Sequence, residues 1–254
     1  MTPERAPGDR QLWSQWQESW DRQQQRFLPD REERFSVLTT LVRAISPKSA
    51  PRVLDLACGC GSITSRILRR IPDVQVVAAD IDPVLLRIAE GVFEGDARVA
   101  LSEVDLRRPN WPTLLPSSEF DAIVTATALH WLEPDQLADV YRALTGLLRP
   151  GGLFADADQV PLAATPALDR AAAALIPESA GDGEGWEEWW ERVAKDSDFT
   201  ELLEERNQRF GGVLHPAEFT PTADWHLEAL AEAGFSEAAV VWRHGAAAVV
   251  AALL

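Results

Sequence analysis

The sequence predicts an α/β fold built on a doubly wound sheet, and three observations carry that expectation. Short apolar runs alternate with amphipathic helical stretches between residues 51 and 156. The first run, Val53 to Leu56, ends in a turn holding Gly59 and Gly61 that feeds a helical pattern. The second, Val74 to Ala79, ends in Asp80, 25 residues after Asp55.

Taken in order, residues 1–10 form a lead-in, and Leu12 to Ile45 is helical in pattern. Trp13, Trp16, Trp20 and Phe27 recur at three, four and seven residues and fall on one stripe. Pro29 breaks that helix. Asp30 reads as the cap of a second, with Glu33 as its reciprocal partner and Phe35, Leu38, Leu41, Val42 and Ile45 as its buried face. Strands follow near 52–56, 74–80, 98–102, 120–126 and 152–156, then late ones near 238–243 and 246–252. Helices are expected near 61–70, 83–91, 135–147 and 223–233, the last stopped by Gly234.

Residues 157–222 break the alternation. Ala163 to Ile176 reads as an alanine-rich helix, followed by a glycine-acidic turn and then Trp186, Trp189 and Trp190. Between 178 and 206 there are eleven acidic residues against three basic ones, half of the chain's net charge. The segment reads as an insertion that roofs the ligand pocket together with the N-terminal helix. Four parts result: 1–50, a helical lid; 51–156, a ligand-binding core; 157–222, the insertion; and 223–254, which completes the core.

A chain of 254 residues holds one substantial core with an appended lobe. Its net charge of −16 would repel a polyanion, so a small-molecule substrate is expected and nucleic acid is not. The sequence shows no cationic leader and no apolar run near the ~20 residues of a membrane span. A cytoplasmic monomer or homodimer is therefore expected. Cys58 and Cys60 sit two apart in the glycine turn, where a disulfide would be strained and a metal would lack ligands. They read as packing residues, and no metal site is expected.

The turn itself points to a ligand. Without a Cβ at Gly59 and Gly61, backbone can lie against a bound group, and Asp55 could face a cation or hydroxyl. An acidic residue at the end of the second strand receives ribose hydroxyls in dinucleotide folds. The third glycine that closes a helix on a pyrophosphate is replaced here by Thr64. A nucleoside without a diphosphate fits better.

Asp55-Leu-Ala57-Cys-Gly59-Cys-Gly61 resembles the first motif of class I S-adenosylmethionine-dependent methyltransferases, with Ala57 in place of the first glycine. Val76 to Pro83, Glu103 to Leu106, Phe120 to Leu132 and Leu147 to Phe154 are similar to the later motifs, in family order. The resemblance implies a Rossmann-like seven-stranded sheet, parallel except for an antiparallel last strand. It implies S-adenosylmethionine as cofactor, held by Asp55, Ala57, Gly59, Gly61, Asp80, Ile81, Asp105, Leu106 and Thr125. Asp80 would take the ribose hydroxyls and Asp105 the adenine amino group. Arg31, upstream of the first strand, would pair with the methionine carboxylate.

His130, at the end of the fourth-strand motif, is the candidate base, since imidazole titrates near neutrality. Methyl transfer favours a dry aromatic pocket. Trp13, Trp16, Trp20, Trp131, Trp186, Trp190 and His215 are therefore candidate pocket residues, with helix packing as the alternative for the tryptophans. Asp121 reads as a surface or capping carboxylate, and Asp82-Pro83 as a helix start. Thr125-Ala126-Thr127-Ala128 lacks the Asn/Asp-Pro-Pro-aromatic segment of amino-methylating enzymes. Methyl transfer to a small molecule in secondary metabolism is the first expectation, with oxygen the first choice of acceptor atom and nitrogen or carbon the alternatives. A protein that holds the cofactor without transferring its methyl is the second.

Overall fold

In the computed structural model, which describes residues 8–28, 30–46, 50–162, 165–174, 184–211 and 219–254, seven strands appear. They are β1 (Arg52–Leu56), β2 (Gln75–Asp80), β3 (Val99–Glu103), β4 (Phe120–Ala126), β5 (Leu148–Gln159), β6 (Glu237–His244) and β7 (Ala247–Leu253). The nine described α-helices are α1 (Gly8–Phe27), α2 (Arg31–Ile45), α3 (Ser62–Arg70), α4 (Pro83–Phe93), α5 (Pro134–Leu147), α6 (Pro166–Ala173), α7 (Trp186–Ala194), α8 (Thr200–Phe210) and α9 (Ala223–Ala233).

The strands form one sheet in the order β3-β2-β1-β4-β5-β7-β6. Pairing is parallel from β3 across to β5, while β7 runs antiparallel to both β5 and β6. The strand order reverses between β1 and β4, which opens the crevice where such sheets take their ligands. β5 is longer than the expected 152–156 because it is paired through Ala157 on β4 and through Gln159 on β7.

Alternation along the buried strands separates two cores. Val53, Val76, Ala122, Val124 and Ala155 meet Phe35, Leu38, Val42, Ile63 and Ile67 of α2 and α3. Leu54, Leu56, Ile123 and Phe154 meet Leu137, Tyr141 and Leu144 of α5 and Leu230 of α9. Gly234, at φ 109°, ends α9 as expected.

A third core gathers the aromatic residues. Trp13, Trp16 and Trp20 are buried among Val84, Leu85 and Ile88 of α4, Trp189 and Val193 of α7, and Phe199. Their rings meet edge to face, Trp16 on Phe199 at 5.1 Å and Trp20 on Trp189 at 5.0 Å. Burial is worth roughly 1.5–3 kcal/mol per large side chain, and each such ring pair roughly 0.5–1.5 kcal/mol more. This overturns the pocket role for Trp13, Trp16 and Trp20, because α1 turns their stripe inward onto α4. Phe27 leaves that stripe and is 56% exposed.

The second helix also starts differently from expectation. Asp30 makes no capping bond; its Oδ1 accepts from Arg34 Nε at 3.0 Å. Glu33 accepts instead from the Trp242 indole at 3.2 Å. Pro29 lies outside the described residues.

Of the insertion's described helices, α7 docks on α1 and α8 on α4, beside β2 and β3, while Phe219 N–H donates to the His130 carbonyl at 2.8 Å. Arg206 of α8 donates to Asp82 at 2.6 Å, both side chains being buried, and its guanidinium lies 3.9 Å from the Trp190 ring centroid. The described part of the alanine-rich helix is α6. No helix among the described residues is long and apolar enough to cross a membrane.

Candidate active site

The turn after β1 is shaped by its backbone. Ala57, Gly59 and Gly61 all have positive φ, at 55°, 56° and 80°. A side chain at Gly61 would stand 2.4 Å from Phe93, so packing as well as conformation demands glycine there. Ala57, where the family has glycine, holds a conformation that costs an L-residue about 1–2 kcal/mol.

Asp55 points beneath this turn rather than outward. Its Oδ2 accepts from the Thr64 backbone N–H at 3.0 Å and from the Thr64 hydroxyl at 2.6 Å, tying β1 to the first turn of α3. Thr64 thus fills the third-glycine position with a structural bond. Oδ1 of Asp55 is buried without a partner. Burial pushes the Asp55 carboxyl up to about 7, against the two bonds from Thr64.

Asp80 closes the turn from the next strand. Its Oδ2 accepts from Gly59 N–H at 2.7 Å and its Oδ1 from Asp82 N–H at 2.8 Å. Burial raises this carboxyl to about 6, with the bonded N–H groups opposing. A carboxylate oxygen can accept more than one hydrogen bond, so Asp80 retains capacity to accept from a diol. A Cβ at Gly59 would meet Leu85 Cδ1 at 3.7 Å, an ordinary packing contact, so it is the positive φ of 56° rather than lack of room that asks for glycine there. One carboxylate, Asp80, beside a backbone cradle fits a nucleoside cofactor, while Asp55 braces the turn from beneath and not as a ligand contact.

Past β2, a cavity of about 420 Å³ is lined by Ile81, Val104, Asp105, Leu114 and Arg209, among others. Asp105 is engaged there by Arg107 and Arg108. Burial raises its carboxyl, but the Arg107 bonds outweigh that and hold it below the usual range. Leu106 packs against the core under the cavity.

α1 holds the turn from the opposite side. Gln17 donates to the Cys60 carbonyl at 2.6 Å and accepts from the Ser65 hydroxyl at 3.0 Å. Asp21 accepts from Ser62 at 2.6 Å and pairs with Arg66 and Arg31. Burial raises the Asp21 carboxyl, yet Arg31 and Arg66 outweigh it and keep it low. Arg31 is therefore committed to Asp21 at 2.7 Å and covers Phe35, which overturns it as the free anion partner. Arg34, 1% exposed, keeps Nη1 without a hydrogen-bond partner.

At the other end of the crevice stands the chemical group. His130 occupies a short 3₁₀ turn, Leu129–Trp131, just after β4. Its Nδ1 lies 2.9 and 2.8 Å from the two carboxylate oxygens of Asp158, on β5. With Nδ1–H donating to Asp158, Nε2 is left as an acceptor. The ring rests 4.4 Å from that of Trp131. Thr125 lies beside Asp156 in the β4–β5 register, and Thr125 Oγ1 and Asp156 Oδ1 are both buried without partners. Burial and the neighbouring Asp158 push the Asp156 carboxyl well up.

Residues 53–152 match the model of a methyltransferase domain family. Together with the motif order and the sheet topology, that match marks residues 53–152 as a class I S-adenosylmethionine-dependent methyltransferase domain. The methyltransferase domain is similar to an uncharacterized methyltransferase of Mycobacterium tuberculosis, 37% identical over 115 residues, covering 45% of this chain and 54% of that one. It is also similar to a trans-aconitate 2-methyltransferase of Azoarcus sp., 31% identical over 137 residues, covering 54% of this chain and 49% of that one. The chain thus spans about half the length of the curated relatives it matches. In fold it resembles an amino pentose methyltransferase from Micromonospora echinaspora involved in calicheamicin biosynthesis, solved with SAM bound. That match has TM-score 0.56 and 18% identity, covering 87% of this chain and 90% of that one.

The methyltransferase domain brings together Asp55, Ala57, Gly59, Gly61 and Asp80 at the turn, Ile81 and Asp105 at the cavity, and Thr125 and His130 at the β4 edge. Trp186 and Trp190, half-buried, pack on Trp20 at 5.7 and 6.4 Å. Their indoles join the contact between α1 and α7. His215 lies outside the described residues. Asp121 is buried rather than superficial, accepting from Arg52 N–H at 2.8 Å and from Arg149 at 2.9 Å. His226 is buried on Tyr141 at 2.7 Å, and burial lowers it to about 4.

Asp158 was missed by sequence reasoning. The signal was present, because Asp156 and Asp158 sit two apart in an apolar strand and so share a face with Phe154.

Proposed function

We propose that the protein binds S-adenosylmethionine and methylates a hydroxyl oxygen of a small organic acceptor, with His130 as base and Asp158 as the residue that orients it. The His130–Asp158 pair carries this reading. A carboxylate on Nδ1 selects the tautomer whose Nε2 accepts a proton, and it stabilises the imidazolium that results. A phenol or alcohol needs that proton removed, whereas a carboxylic acid has already lost it at neutral pH.

The cofactor supplies an electrophilic methyl group on a sulfonium. The chain's own residues then have separable tasks. The turn from Ala57 to Gly61 offers backbone, Asp80 offers two oxygens for the ribose, and His130 takes a proton at the acceptor end. An acidic chain with net charge −16 favours a neutral or basic small molecule over nucleic acid. A cytoplasmic monomer or homodimer, active in secondary metabolism, completes the proposal.

Release of S-adenosylhomocysteine tests it, with panels of phenols, aliphatic alcohols and carboxylic acids as acceptors. For a hydroxyl substrate, His130→Ala should slow turnover by about 10²–10⁴. Asp158→Asn should lower the rate and displace its pH profile, while binding of S-adenosylhomocysteine stays unchanged in both. Equal turnover by wild type and His130→Ala would remove the base. Turnover of carboxylic acids alone would remove the hydroxyl acceptor.

A further inference from the structure

We infer that Arg209 closes the nucleobase end of the cofactor site by laying its guanidinium plane on the adenine ring. The inference rests on the proposed binding of S-adenosylmethionine. It adds a ligand-binding residue from α8, which lies in the segment after β5 and outside residues 53–152.

Three features of α8 support it. First, the helix is fixed where the ligand would lie. Arg206 is paired with Asp82 at 2.6 Å, both buried, and Asp82 also caps α4 through the N–H groups of Val84 and Leu85. That carboxylate stands two residues beyond Asp80, so α8 is bolted to the turn that carries the ribose partner. Arg206 is held in turn between Trp190 and Phe210, at 3.9 and 5.1 Å from their ring centroids.

Second, Arg209 lies three residues on, on the same side of the helix. Its Nη1 donates to the Ile81 carbonyl at 2.9 Å, and its Nη2 pairs with Glu103 at 2.8 Å and with Glu205. The guanidinium is therefore gripped by its edge, between the end of β2 and the end of β3.

Third, Arg209 lines the cavity of about 420 Å³ with Ile81, Asp105 and Leu114. With both terminal nitrogens engaged by protein, what the group offers a ligand is its flat face. A planar cation that is held in place suits the face of a purine. Asp105, in the same cavity, suits the purine's exocyclic amino group. The insertion thus serves the adenosine end of the cofactor.

Titration calorimetry on the full chain tests this with two probes. S-adenosylhomocysteine carries the whole nucleoside and its amino-acid arm; 5′-methylthioadenosine keeps the adenosine and lacks the arm. Arg209→Ala should weaken both by a similar factor, about 5- to 20-fold. Arg209→Lys keeps the charge and loses the plane, and should weaken both nearly as much; it also carries the test if the alanine variant fails to fold. Wild-type affinity in either variant overturns the inference, as does a loss confined to S-adenosylhomocysteine. Failure of the wild type to bind S-adenosylhomocysteine is a separate result and removes the cofactor reading itself.

Discussion

The burial of Asp80 and the ribose role proposed for it pull against each other. To accept ribose hydroxyls it serves best as an anion, yet burial has raised its carboxyl to about 6. Its folded value lies above the ordinary 3.8, so the folded state binds the proton more tightly than the unfolded chain. Its contribution to stability is then complete below about pH 4 and is lost as pH rises through about 6. Asp80→Asn removes this dependence. The variant should gain stability relative to wild type as pH rises from 4 to 6, by on the order of 2–3 kcal/mol, and then level off. Denaturant melts of both proteins across that range check it, and a constant difference would mean that Asp80 titrates normally. Asp55, raised to about 7 by burial, follows the same rule at higher pH.

Among the elements, α1 has the most consequences. It packs on α4 through Trp13, whose ring lies where a Cβ at Gly91 would be, only 2.0 Å from its Cγ. It grips the glycine turn through Gln17 and Asp21. Gly91→Ala should push the tryptophan off α4 and cost about 1–3 kcal/mol, since neither backbone nor indole can yield without moving the helix. A chemical melt measures that cost. Because α1 also touches Cys60 and Ser62, amide exchange at residues 58–65 should quicken in the same variant. Unchanged exchange there would show that α1 packs on α4 without steadying the turn.

On the scale of the whole molecule, charge and architecture are separate matters. Half of the net charge of −16 falls in the segment 178–206, while the hydrophobic cores lie on the two faces of the sheet. Self-repulsion of that size destabilises a compact state and is screened by salt. Raising ionic strength from about 0.01 to 0.15 M should therefore raise the melting temperature. A fall would mean that ion pairs such as Arg209 with Glu103 and Arg98 with Asp96 outweigh the repulsion.

The sheet and the cofactor turn were legible because their signals are local. Period-two apolar runs mark the strands. Gly59 and Gly61 at positive φ mark the turn, and an acid after each of β2 and β3 marks the ligand side. The aromatic stripe was legible as a stripe but not as to what it faced. Its direction depends on which helix α1 meets, and Gly91, the residue that admits Trp13, is silent in the sequence. Arg31 and Arg34 were equally indistinct, since three residues separate them and only α1 brings Asp21 to one of them.

By itself, then, the sequence determined the order of the strands and of the helices that alternate with them, the glycine turn and the acids at the strand ends, because each depends on neighbours a few residues away. Tertiary structure alone decided that Asp158 faces His130, that Arg31 is taken by Asp21, and that α8 brings Arg209 to the β2–β3 edge. Those pairs lie 28, 10 and more than 100 residues apart. Their meeting is set by strand register and helix docking, which no local pattern encodes.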